Sequence, residues 1–274
     1  MKHIKITPRY VLIFILCLMM VVFDGVPYLK ELPFTSDDVY NRMLSLSFPL
    51  LAGGLAVHLM AKEFGLKLFQ KPQYLWVLLP GLIIALDNLP WLAYYAGKLQ
   101  LAHTTGWHFT LFAIYCLLTG FFEEVLFRGI FLSLLAGMFE NSHKGLIKTY
   151  IASSVVFGVA HLLNVFTGGG GAAVLQAGYS ILTGGLFGFV MLKTKNVLFP
   201  ALIHGAYNFC GLLFTESVGL GYGSMIDVPT GVMMAIMSVI IGVFVLYKVW
   251  KYPENERLEL YKRLNIQEKS KNKG

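Results

Sequence analysis

Three short clusters combine residue types that can activate water with spacings that place them on single helical faces. They are Glu123-Glu124-Val125-Leu126-Phe127-Arg128, Phe157-Gly158-Val159-Ala160-His161 and His204-Gly205-Ala206-Tyr207-Asn208. A carboxylate beside imidazoles can take a proton from water. Fixed imidazole and amide donors can hold the negative charge that builds on an attacked carbonyl. All three clusters lie in otherwise apolar sequence. An ionisable group in hydrocarbon costs on the order of 3 kcal/mol, so two carboxylates, a guanidinium and two imidazoles there point to a use.

On a helix Glu124 and Arg128 are i and i+4 and can form an ion pair. Glu123 is rotated by about 100° from Glu124 and can face a different space. Phe157 and His161 repeat the i, i+4 relation, and Asn164 follows on the same side. His204 and Asn208 repeat it again, with Gly205 and Ala206 keeping that turn narrow. Asp87 and Asn88, ahead of Pro90, either line the same cavity or mark the outer end of a span. The blander readings are a self-neutralising pair, a satisfied core histidine and an ordinary interhelical hydrogen bond worth about 0.6 kcal/mol. They fit each cluster alone better than all three together.

The elements that must position these groups are membrane helices. The chain is 56% hydrophobic and 14% charged, with a mean hydropathy of +0.65, against about 25% charged in soluble domains. About 20 apolar residues cross a bilayer. The candidate spans are 9–26, 43–61, 74–96, 110–137, 147–166, 173–192, 197–216 and 230–250. The expected fold is therefore all-α: a polytopic bundle of about eight transmembrane helices around a polar cavity. The expected domains are an integral membrane unit over 1–250 and a basic cytoplasmic tail over 251–274.

Lys and Arg alternate in density from loop to loop. Lys2, Lys5, Arg9, Lys62, Lys67, Lys71, Lys144, Lys148, Lys193, Lys195 and the tail fall on one side; Lys30, Arg42 and Lys98 fall on the other. The positive-inside rule then makes both termini cytoplasmic in a cell membrane. It also explains the net charge of +7 without nucleic acid as a partner. The start resembles a signal peptide but lacks a small-residue cleavage site, so it reads as a retained span. Cys17, Cys116 and Cys210 form neither a disulfide frame nor a metal motif. The run Gly168 to Gly171 has no preceding strand and no following Lys, which argues against a phosphate loop. Gly178, Gly184, Gly185 and Gly188 read as a close-packing face.

Taken in order, the motifs EExxxR, FxxxH and HxxxN resemble those of the CAAX-protease and bacteriocin-processing family of intramembrane proteases, also called the Abi or type II CAAX prenyl endopeptidase family. The resemblance covers about residues 110–215. It implies a helical peptidase fold around an intramembrane chamber. It also implies that Glu123 is the general base, assisted by His161, and that His204 and Asn208 polarise the scissile carbonyl. Glu124 and Arg128 would hold the site in shape.

A metal reading stands beside this one, with Glu123, His161 and His204 as ligands to Zn²⁺. The His-Glu-x-x-His helix of zinc peptidases is missing, so a metal-free glutamate mechanism with no cofactor is favoured. The expected partners are a peptide or membrane-protein substrate and the lipid bilayer, with bacteriocin or peptide maturation and self-immunity as roles. The competing functions are a proton-coupled transporter, because midplane carboxylates and histidines also relay protons, and a non-catalytic membrane scaffold or immunity protein.

Overall fold

The computed structural model describes residues 37–101, 104–139, 141–167, 170–215, 219–222 and 228–263. The expected first span over 9–26 and the end of the tail lie outside them. Helix α1 runs Asp38–Glu63, and a short 3-10 turn leads into α2, Leu78–Asp87. The stub α3 is Trp91–Tyr95, and α4 is Gly106–Glu124. From Val125 to Phe131 the backbone is a π-helix, which continues as α5, Leu132–Met138. Helix α6 is His143–Ala160, prolonged by a 3-10 segment from His161 to Thr167. Helices α7 (Gly170–Thr194), α8 (Leu198–Leu212), α9 (Val228–Trp250) and α10 (Glu254–Arg263) complete the order. A two-residue ladder pairs Gln100 with Tyr222 and Leu101 with Gly221.

Among the described residues, six helical segments are long and apolar enough to cross a membrane: Asp38–Glu63, Leu75–Tyr95, Gly106–Met138, His143–Val165, Val174–Thr194 and Gly231–Trp250. The all-α, multi-pass expectation holds, and the count of eight is approximate. The expected span over 197–216 contracts to the 15-residue α8. At 1.5 Å per residue this is about 22 Å, short of a hydrocarbon layer of about 30 Å. Beyond its end, Phe214, Thr215 and Leu220 are non-helical and buried. Irregular backbone is tolerated at such depth where protein covers it. Here Thr215 N–H donates to Leu212, Gly219 N–H to Thr215 and Leu220 N–H to Leu213.

Loop contacts group residues at the two ends of the bundle. At one end, Asn196 donates to the Gln70 carbonyl, Lys195 reaches Gln73 and Glu259, and Arg257 reaches Asn141. At the other, Arg42 donates to the Gly219 carbonyl and His108 meets Asp37. The start of the tail is neither frayed nor free. Helix α10 buries Leu260 and Tyr261, and Lys193 pairs with Glu256 at 2.6 Å between the rings of Tyr74 and Tyr252.

Close packing brings α4 against α8. A Cβ on Gly120 would fall 2.6 Å from the Ala201 carbonyl oxygen. The expected glycine face on α7 is only partly used. Gly184 and Gly185 meet neighbours closely, Gly188 makes ordinary contacts and Gly178 has nothing within 4 Å.

Candidate active site

Glu123 and Glu124 end α4, where the helix widens into its π segment. Such segments cluster at functional sites. The two carboxylates diverge as the helical rotation demands. Glu124 is wholly buried and pairs with Arg128 at 3.1 Å, from its Oε2 to the guanidinium Nε. Arg128 is also wholly buried, donates to the Gly184 carbonyl at 2.9 Å and lies 4.1 Å above the Phe157 ring. Glu123 turns the other way, into a cavity of about 120 Å³.

Glu123, His161, His204 and Asn208 all line this cavity, as do Phe157 and Asn164. The residues read as supporting the site divide: Phe157 and Asn164 reach the cavity, whereas Glu124 and Arg128 sit behind its wall. The three clusters, up to 85 residues apart in sequence (123 to 208), therefore converge on one space. His161 opens the 3-10 segment after Ala160 and lines the cavity from there.

The hydrogen bonds fix which nitrogen of each ring faces the cavity. His161 Nδ1 lies 2.8 Å from the Phe157 carbonyl oxygen. A carbonyl only accepts, so Nδ1 carries a proton and donates. His204 Nδ1 lies 2.9 Å from Glu124 Oε1. That carboxylate is neutralised by Arg128, so His204 Nδ1 donates as well. Both Nε2 atoms then point at Glu123 Oε2, His161 at 4.0 Å and His204 at 3.9 Å. Glu123 Oε2 is buried and has no direct hydrogen-bond partner. Three groups that accept in their neutral or ionised forms face one another just beyond direct bonding range. That arrangement suits a bridging water about 2.8 Å from each atom, at angles of about 90°, which donates to two of the three and accepts from the third when that ring carries both protons.

It suits a metal less well. Zinc ligands at about 2.1 Å in tetrahedral arrangement stand about 3.4 Å apart, closer than the 3.9 and 4.0 Å found here. Among the described residues no group of three His, Cys, Asp or Glu side chains is arranged to hold a metal ion.

Several lining residues lie outside the three motifs. Tyr115 and Thr119 precede Glu123 by two turns and one turn of α4, a face readable from i, i+4, i+8 spacing. Tyr179, Thr183 and Phe187 form the matching row on α7. Gln176 accepts from the Asn164 amide at 2.9 Å. Of the pair before Pro90, Asn88 lines the cavity and donates to the Tyr207 carbonyl at 2.9 Å. Asp87 is not among the lining residues.

Comparison with known proteins follows the same stretch. Residues 105–210 match the family of type II CAAX prenyl endopeptidases described as Rce1-like. The matched residues contain all three motifs and agree with the family resemblance read from them. No curated protein and no solved structure gives a match to the chain.

Proposed function

We propose, from the kinship of residues 105–210 with the type II CAAX prenyl endopeptidases, that the chain is an intramembrane endopeptidase using a glutamate-activated water. The observation that carries this reading is the triangle of Glu123 Oε2 with the Nε2 atoms of His161 and His204. In the proposed reaction Glu123 takes a proton from the water held there. The resulting hydroxide attacks the scissile carbonyl carbon. Asn208 donates to the oxygen as it becomes negative, joined by His204, whose Nε2–H turns from the water to that oxygen when the ring carries both protons. The proton then passes to the departing amine as the C–N bond breaks, from Glu123 with His161 beside it. Glu124 and Arg128 do not meet substrate. They fix the His204 tautomer from behind, in the manner of a carboxylate orienting an imidazole.

The substrate is a peptide or membrane protein reaching a chamber whose lining is mostly uncharged. Maturation of secreted peptides, including bacteriocins, or self-immunity fits that class. The chain sits in the cell membrane with its Lys-rich end, bearing α10, in the cytoplasm.

The test is cleavage of a fluorogenic membrane peptide by the purified, reconstituted protein. Wild type should cleave it, and Glu123→Gln, which keeps size and removes the base, should not. Chelator should leave wild-type activity in place. Solute transport by vesicles without peptide cleavage would favour a transporter instead.

A further inference from the structure

Phe187 belongs to none of the three motifs, yet its ring lies flat against the His204 imidazole. The centroids are 4.8 Å apart and the planes differ by 21°. Phe187 is almost completely buried and lines the cavity. The hydrogen bond from His204 Nδ1 to Glu124 Oε1 fixes one point of the imidazole. It leaves the ring free to swing about that line, which would carry Nε2 away from Glu123. A flat aromatic neighbour removes that freedom, since offset stacking has a preferred plane. The Phe157 ring meets His204 at 79°, 5.8 Å away, and closes a second side. The same turn of α7 supplies the Gly184 carbonyl that accepts from Arg128 Nη2. One helical turn thus secures both the ion pair behind His204 and the plane of His204 itself.

We infer that Phe187 is a positioning residue of the hydrolytic site, setting the plane of the His204 imidazole so that Nε2 stays in register with Glu123. This inference rests on the peptidase reading for its kinetic consequence, but not for its structural one. The charged groups that meet His204 are Glu123 and Glu124 from α4; Arg128 lies behind Glu124 and His161 across Glu123. Arg128 also lies 5.7 Å from the Phe187 ring centroid, and its bonds to Glu124 and the Gly184 carbonyl do not involve that ring.

Phe187→Leu and Phe187→Met fill the space without offering a ring face; Phe187→Tyr restores one. Reconstituted Phe187→Leu and Phe187→Met should lose about 10- to 100-fold in kcat, the scale of a misplacement of about an ångström, with KM within about twofold. Phe187→Tyr should recover to within about threefold of wild type. In protein labelled at histidine, the ring-proton signals of His204 should be shifted upfield by the Phe187 ring current. That shift should vanish in the Leu and Met variants and persist in Tyr, while His161 is unmoved. Turnover at the wild-type rate in both ringless variants would overturn the inference, and so would a loss carried by KM. If wild type cleaves nothing, the peptidase reading fails, and the His204 signals decide the inference alone: unchanged signals in Phe187→Leu and Phe187→Met reject it.

Discussion

Gly120 and Gly205 meet backbone to backbone. A Cβ on Gly120 would stand 2.7 Å from the Gly205 amide nitrogen, and one on Gly205 would stand 2.9 Å from Leu117 Cα. This contact presses α4 onto α8 and brings the carboxylates at the end of α4 to His204. Neither obstacle is a flexible side chain, so a methyl group at either glycine must separate the helices.

Gly120→Ala and Gly205→Ala should each lower stability by about 1–3 kcal/mol, read as thermal unfolding in detergent micelles, and should depress cleavage further than that loss explains. Gly178→Ala is the control. Its position is open and helical, so the change should be neutral or stabilising by up to about 1 kcal/mol.

The wholly buried pair of Glu124 and Arg128 makes a second prediction. Removing one member of such a pair leaves an uncompensated charge and costs about 3–5 kcal/mol. Glu124→Gln and Arg128→Met should each unfold at markedly lower temperature. The double variant should be more stable than the sum of the two losses implies, and it should remain inactive because His204 has lost its carboxylate.

At the opposite end from α10, Asp37 links α1 to α4. It accepts the Tyr40 backbone N–H at 2.9 Å and the His108 Nε2 proton at 2.7 Å. His108 Nδ1 takes the Thr105 backbone N–H, so Nε2 carries the ring proton. The amide hydrogen bond holds the Asp37 carboxyl below its ordinary value, partial burial opposes this, and His108 adds to the lowering. A depressed folded value stabilises the protein above the unfolded value of about 3.9. The contribution fades as pH falls through the folded value. Asp37 is 43% exposed, so the effect is modest. Unfolding temperature should fall between about pH 5 and pH 3, and Asp37→Asn should flatten part of that fall.

The convergence of Glu123, His161, His204 and Asn208 was legible because polar groups in apolar sequence are conspicuous and their i, i+4 spacing is local. The structure departs from the sequence reading where long-range contacts overrule local pattern. Nothing local separates the π winding of Val125–Phe131 from an ordinary helix. Lys193 and Lys195 count as loop charges by position, yet they pair with Glu256 and Glu259, more than 60 residues away. Asn88 could be placed only once Tyr207, 119 residues on, was seen to accept its amide. Helix α8 stops at Leu212, and Phe214, Thr215 and Leu220 beyond it are non-helical and buried, a difference that hydropathy does not register.

Glu123 and His204 are proposed to act on one water. Cleavage rates for Glu123→Gln, His204→Gln and the double variant test it most directly. Each single change should cost about 10²–10⁴-fold in kcat. Residues serving one reactant are not additive, so the double variant should be about as slow as the slower single. If the two losses instead multiply, the side chains serve separate steps, and a shared water between them is contradicted.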